Sequence, residues 1–158
     1  KCPGCGINGR KDDSCCHMRC NNCDTSWCYV CEQPEDMLDY DERYSEVYGH
    51  NRDWSSNEKR CPMYFYQIQD VDSSWPEDDD EALLHYHHMK TLRNLKQVIL
   101  EVGEDLFEKM LDHYKHVLNG YSLQEIMDFD LDKPMFQRVA KDDDEDSETL
   151  SESEDDGL

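Results

Sequence analysis

Apolar residues recur every three or four positions between residues 92 and 110. This spacing predicts amphipathic helix with one face packed in a core, although the same face could bind a partner helix or fold back onto the first part of the chain. Gly103 either divides the segment into two helices or lies inside one, where it costs about 1 kcal/mol relative to Ala. The apolar series comprises Leu92, Leu95, Ile99, Val102, Leu106 and Met110.

Polar signals on either side of this series predict where helices begin and end. Asn119-Gly120 is a typical helix stop, and Ser122 with Glu125 forms a capping-box pattern that opens a short helix toward Phe129. Lys133-Pro134 ends that segment. Three histidines near the start of the helical region could also serve as metal ligands but are expected on a solvated helix face, namely His85, His87 and His88.

Residues 1–68 lack this periodicity and carry all nine cysteines. Most of these cysteines fall in Cys-x-x-Cys pairs, which favour a shared metal ion over disulfide bonding, because thiolates two residues apart can reach one tetrahedral ion from a tight turn. The short apolar segments are too few for a large core, so metal is expected to hold this part together. Free thiolates indicate a reducing compartment, and the expected location is the cytosol or the nucleus.

The cysteines and one histidine can be divided into two sets of four ligands. The spacing predicts two zinc ions per chain, bound in sequential order. The first set is Cys2, Cys5, Cys20 and Cys23, and the second is Cys28, Cys31, His50 and Cys61. This division leaves Cys15 and Cys16 without a ligand role.

Composition divides the chain into four parts. The predicted fold is a small zinc-stabilised α+β or irregular domain with two sequential zinc sites and short β-hairpins, followed by an α-helical segment and a disordered acidic tail. The predicted boundaries are 1–68 for the zinc domain, 69–80 for an acidic linker, 81–131 for the helical segment and 132–158 for the tail. The chain begins Lys1-Cys2 without Met, which suggests a piece of a longer protein.

Charge restricts the expected partners. The formal net charge is -22, and nine of these charges lie in residues 141–158, where ten acidic residues meet one lysine. Such a surface repels phosphates, so no nucleic-acid partner is expected. No apolar run reaches about 18 residues, so no membrane span is expected either.

The first 31 residues resemble the catalytic second RING of RING-between-RING ubiquitin ligases. The resemblance rests on Cys2-Pro3-x-Cys5, Lys11, Cys15-x-His17-Met18-x-Cys20, Cys23 and Trp27-Cys28-Tyr29-x-Cys31, and it extends loosely to residue 61. That family usually has Gly before its nucleophile, where Ser14 stands, and Glu or Gln before the next aromatic residue, where Ser26 stands.

The resemblance implies a transferase function. Cys15 would accept ubiquitin as a thioester from a ubiquitin-conjugating enzyme recruited by an upstream domain, and His17 would act as general base when ubiquitin passes to a lysine of a protein substrate. Cys16 could share the thioester or form an inhibitory disulfide with Cys15. The alternative is a non-catalytic zinc-binding interaction module, which would not be expected to carry a spare Cys-x-His pair.

Overall fold

The computed structural model describes residues 1–9, 11 and 15–139. Within these residues, two strands and four α-helices follow one another, with short 3-10 helices at Glu35–Met37 and Phe65–Asp70. The strands are β1 (His17–Arg19) and β2 (Ser26–Cys28), and the helices are α1 (Glu46–His50), α2 (Asp79–Val102), α3 (Glu104–His113) and α4 (Leu123–Asp128). Among these elements no helix is long and apolar enough to cross a bilayer.

β1 and β2 form an antiparallel hairpin within the cysteine-rich part. The register pairs His17 with Cys28 and Arg19 with Ser26. The connecting turn closes through the backbone, since the amide of Cys20 donates to the carbonyl of Thr25 at 2.9 Å. The turn of the hairpin therefore contains Cys20 and Cys23, and β2 ends at Cys28, the first cysteine of the next Cys-x-x-Cys pair.

The long apolar series is split into two helices at Gly103. This residue has φ 83°, a left-handed conformation that glycine adopts at little cost, and its amide still donates to the carbonyl of Ile99 at 2.8 Å. The break shifts the helical phase, so Phe107 is buried in α3 while Leu106 is 51% exposed. The predicted apolar face is thus correct up to Ile99 and wrong at Val102 and Leu106.

The predicted start of α4 forms in the structure, whereas the helix stop predicted at Asn119-Gly120 is wrong, because α3 already ends at His113. The side chain of Ser122 accepts a hydrogen bond from the amide of Glu125 at 3.1 Å and begins α4, which confirms the predicted short helix. α4 packs on α2, and the core between α2, α3 and α4 consists of Leu92, Ile99, Phe107 and Ile126.

The first half of α2 packs on the cysteine-rich part. The ring of Tyr86 lies 4.5 Å from that of Phe65, and its hydroxyl donates to the carbonyl of Val30 at 3.2 Å. His87 Nε2 lies 3.0 Å from the hydroxyl of Tyr29, and His88 Nε2 lies 2.8 Å from Glu125. The histidines are therefore partly buried contact residues, and their predicted placement on a solvated face is wrong.

Residues beyond α4 return to the cysteine-rich part. Phe136 is buried, with its ring centroid 5.9 Å from those of Trp54 and Trp75. Arg138 donates to the backbone carbonyl of Trp54 at 3.1 Å, and the amide of Val139 donates to that of Ser55 at 2.9 Å.

These contacts change two of the sequence-based boundaries. The segment 69–80, expected to be a linker, contributes Trp75 to the core, because its ring packs against Phe136. Residues 132–139, which we assigned to the disordered tail, form the returning segment. The rest of the predicted tail, residues 140–158, lies outside the described residues.

Truncating Phe136 should loosen the returning segment. Phe136→Ala is expected to lower the free energy of unfolding by about 3 to 5 kcal/mol, because a buried aromatic side chain is removed from between two indole rings. Denaturant unfolding with zinc in excess measures the change. Val139→Ala, at a residue 55% exposed, is the control and should stay within about 0.5 kcal/mol of the parent. Equal destabilisation by both variants would contradict the assigned contacts.

Candidate functional site

The first cluster joins two loops through four cysteines. Their sulfur atoms lie within 4.8 Å of one another, and the pairs Cys2–Cys23 and Cys5–Cys20 are each separated by 3.6 Å. Sulfurs at the corners of a tetrahedron around zinc, with Zn–S near 2.3 Å, would be about 3.8 Å apart. The observed separations fit that arrangement.

The pKa values of the thiols of this cluster shift in opposite directions: desolvation and the neighbouring thiols raise the pKa of Cys20 to about 11, whereas contacts with Thr25 favour the thiolate of Cys23. Thr25 Oγ1 lies 3.1 Å from Cys23 Sγ and, together with the Thr25 backbone, lowers the pKa of that thiol to about 6. Thiolate is the form that binds metal. Gly4 is required beside it, because a Cβ there would lie 2.2 Å from Thr25 Oγ1 and 3.1 Å from Cys23 Sγ.

The second cluster brings together residues that are far apart in the sequence. The donor atoms of Cys28, Cys31, His50 and Cys61 lie within 4.8 Å of one another, and His50 Nε2 is 3.6 Å from Cys31 Sγ. A tetrahedral zinc with one nitrogen and three sulfur ligands would set that N–S separation at about 3.6 Å. His50 Nδ1 donates to the carbonyl of Asp39 at 2.6 Å, which leaves Nε2 to face the thiols.

The thiols of the second cluster titrate together, and the neighbouring Cys28 and Cys31 raise the pKa of Cys61 well above the ordinary value. The thiols of Cys28 and Cys61 lie at hydrogen-bonding distance from Cys31 and hold its pKa well below the ordinary value. The cluster lies largely within the protein, with Cys28, His50 and Cys61 buried. Both clusters could therefore hold a metal ion, consistent with zinc, and they contain the eight ligands that the sequence predicts.

Cys16 is a buried structural thiol. Its side chain is 0% exposed and packs with Phe65, Ile68 and Tyr86. Burial, followed by the neighbouring Cys28 thiol, raises its pKa well above the ordinary value. Its amide donates to the carbonyl of Met63 at 2.7 Å, so both its backbone and its side chain are fixed. These surroundings do not suit a nucleophile.

Cys15 has different surroundings from Cys16. It is partly exposed and belongs to neither donor cluster. Seven of the nine cysteines are cluster members and Cys16 is buried, so Cys15 is the thiol that remains available for reaction. The neighbouring His17 is also partly exposed and begins β1. The two adjacent thiols therefore differ in burial: Cys16 is buried and Cys15 is partly exposed.

The imidazole of His17 is held by two residues of the segment around α1, Tyr48 and Asn51. Its Nε2 is hydrogen-bonded to Asn51 Oδ1, and the ring meets that of Tyr48 edge-on with centroids 5.6 Å apart. Burial lowers the pKa of His17, while Asn51 and the Val47 backbone oppose that shift. Lowering the pKa keeps more of the imidazole neutral, which is the form that accepts a proton.

Ser26, which stands where the resembling family usually has Glu or Gln, lies in β2. It lies opposite Arg19 in the hairpin, whereas His17 lies opposite Cys28. The polar partner comes instead from Asn51, 34 residues further along the chain from His17. No local spacing links these two residues, although Asn51 directly follows a predicted metal ligand.

The sequence is distantly similar to a known ubiquitin ligase. It is 28% identical over 109 residues to the E3 ubiquitin-protein ligase HEL1 of Saccharomyces cerevisiae (strain ATCC 204508 / S288c), and the match covers 67% of this chain and 16% of that protein. The chain thus spans less than a fifth of the length of this relative. No family model and no solved structure matches the chain.

Metal analysis should distinguish ligands from spare thiols. The parent chain is expected to bind two zinc ions, and Cys23→Ala and Cys61→Ala are each expected to bind one fewer, because each removes a donor from one cluster. Cys15→Ala is the matched control and should keep both ions. Elemental analysis of purified protein gives the stoichiometry. Loss of an ion from the Cys15 variant would contradict its place outside the clusters.

Proposed function

We propose that this chain is the catalytic part of a ubiquitin ligase of the RING-between-RING kind, with Cys15 as the ubiquitin acceptor. The observation that carries the proposal is Cys15 itself, a partly exposed thiol outside both donor clusters and two residues before an imidazole. The distant similarity to a yeast E3 ubiquitin-protein ligase supports the same class of reaction. A bare zinc module would have no use for this arrangement.

The first step transfers ubiquitin between two thiols. The Cys15 thiolate attacks the carbonyl carbon of the thioester that joins ubiquitin to a conjugating enzyme. A new C–S bond forms to Cys15, and the old C–S bond breaks as the conjugating enzyme's cysteine leaves as thiolate. Charge is conserved, so the step needs no external acid or oxidant. The thiolate is the reactive form, and thiols are nucleophilic enough to react near neutral pH.

The second step makes an amide and requires a base. A lysine amine of the protein substrate attacks the Cys15 thioester, and His17 accepts a proton from the attacking nitrogen. The C–S bond to Cys15 then breaks, the thiolate leaves, and an isopeptide bond remains. The depressed pKa of His17, caused by burial, favours the neutral imidazole that this role needs.

The rigid surroundings of Cys15 suit a reaction with two large partners. Cys16 fixes the backbone immediately after the nucleophile, and the donor clusters hold the hairpin and α1 without a large core. We propose that a further part of the protein recruits the conjugating enzyme, and that the reaction takes place in the cytosol or the nucleus, where thiols stay reduced.

Replacing the nucleophile with serine should trap the first intermediate. Cys15→Ser is expected to accumulate ubiquitin as an oxyester that survives thiol reductant and is cleaved by mild base, because an alkoxide leaves far less readily than a thiolate. The assay mixes the chain with charged conjugating enzyme, with any recruiting domain supplied on the same polypeptide, and follows the adduct by non-reducing electrophoresis and mass spectrometry.

The neighbouring thiol provides the matched control. Cys16→Ala should still form a reductant-sensitive ubiquitin adduct on Cys15, whereas Cys15→Ala should form none. An adduct that persists in Cys15→Ala and disappears in Cys16→Ala would reverse the assignment. No adduct in any variant under these conditions would favour the non-catalytic zinc module.

Removing the base should separate the two steps. His17→Ala is expected to load ubiquitin on Cys15 but to discharge it to free lysine about 10²-fold more slowly, the usual lower range for loss of a general base. Single-turnover discharge of the preloaded thioester measures this rate. A variant that discharges at the parent rate would exclude His17 as the base.

A further inference from the structure

We propose that Asn51 is a positioning residue for His17, fixing the orientation and tautomer of the imidazole that takes the lysine proton. This inference rests on the proposed function for its consequence, and on the contacts of the Asn51 side chain for its evidence. The amide contacts the imidazole at Oδ1 and a backbone carbonyl at Nδ2.

The second contact determines which way the amide faces. Asn51 Nδ2 donates to the carbonyl of Cys61 at 2.7 Å, a role that only the amino group can take, because a carbonyl oxygen cannot donate. Oδ1 is therefore the atom that faces His17 Nε2. Since Oδ1 can only accept, His17 Nε2 must be protonated in this contact.

The support for Asn51 comes from the second donor cluster. Asn51 directly follows His50 at the end of α1, and Cys61, whose carbonyl receives the Asn51 amide, is another member of that cluster. The Asn51 side chain is thus anchored at its backbone by the adjacent His50 and at Nδ2 by Cys61, two residues that a bound metal would hold in place. A side chain with such fixed surroundings can orient a neighbour at small entropic cost.

The contact between Asn51 Oδ1 and His17 Nε2 also stabilises the imidazole after it has accepted a proton. The imidazolium carries N–H groups on both ring nitrogens, and Asn51 Oδ1 and the Val47 backbone both favour that charged form. An acceptor that orients the imidazole and stabilises the imidazolium is the third member of many nucleophile–base arrangements.

Two substitutions separate the functions of the amide. Asn51→Leu has nearly the same shape but can neither donate nor accept, so both contacts are lost. Asn51→Asp keeps an acceptor for His17 and loses the donor to the Cys61 carbonyl. The positioning role predicts that the aspartate variant recovers much of the activity that the leucine variant lacks.

The kinetic test compares loading with discharge in the chain used for the thioester assay. Asn51→Leu should load Cys15 within about twofold of the parent rate and discharge to lysine about 10-fold or more slowly. Asn51→Asp should discharge within about fivefold of the parent. In a His17→Ala background Asn51→Leu should have no further effect, because residues that act as one unit are not additive.

A spectroscopic test needs no ubiquitin. Nitrogen-15 NMR of the imidazole should show the Nε2-protonated tautomer of His17 in the parent and in Asn51→Asp, and a mixture of tautomers in Asn51→Leu. Zinc content is measured for every variant and should remain two per chain.

Several outcomes would overturn the positioning role. These are unchanged discharge in Asn51→Leu, an unchanged tautomer, additive slowing with His17→Ala, or loss of zinc accompanied by equal loss of loading and discharge. Failure of the parent to load ubiquitin would instead refute the proposed function, and the tautomer measurement would still decide the role of Asn51.

Discussion

The second donor cluster is the constraint on which the rest of the cysteine-rich part depends. It draws together Cys28, Cys31, His50 and Cys61, which span more than thirty residues with only one short α-helix among them. Apolar packing in such a segment is sparse, and a metal ion bound by this cluster would supply cohesion that the core lacks. Once His50 and Cys61 are brought together, Asn51 follows His50 and reaches the Cys61 carbonyl. The arrangement that can bind metal therefore also places an amide beside His17.

A second connection joins this metal-binding part to the helices. Cys16 lies in a core with Phe65, Ala82 and Tyr86, so the residue after the proposed nucleophile packs directly against the start of α2. The backbone of Cys16 is bonded on both sides, donating to Met63 and accepting from the amide of Tyr29 at 2.7 Å each. Changes in how α2 packs would consequently be felt next to Cys15. The helices are part of the same folded unit as the thiol site and are not a separate appendage.

The ligand sets could be predicted from the sequence because the information is largely local. Each Cys-x-x-Cys pair specifies a turn and a shared ion, and counting to four ligands per ion leaves few ways to divide the rest. The start of α4 was equally local, since Ser122 and Glu125 are three residues apart. Gly103 could not be decided, because whether a glycine ends a helix depends on what the following turn packs against.

The features that were missed all depend on distant contacts. Asn51 has no sequence signal that links it to His17, and only the folded second cluster brings the two together. Phe136 precedes a strongly acidic stretch, so composition favours a disordered tail from residue 132, whereas the ring of Phe136 between Trp54 and Trp75 and the hydrogen bonds of Arg138 and Val139 return the chain to the core. The average composition of a segment does not reveal which of its side chains contact the core.

The adjacent thiols of Cys15 and Cys16 could compete with the cysteine ligands for a bound metal ion. A chain with seven cysteine ligands and two spare thiols risks exchange, because a free thiolate can replace a neighbouring ligand on zinc. Burial disfavours the thiolate of Cys16 and keeps it from competing for metal. Its backbone bonds to Met63 and Tyr29 also hold Cys15 in place, five residues from the ligand Cys20. In the proposed function, the buried Cys16 would restrain the neighbouring Cys15 without competing for metal, and a second cysteine could stand beside the proposed nucleophile without sharing its role.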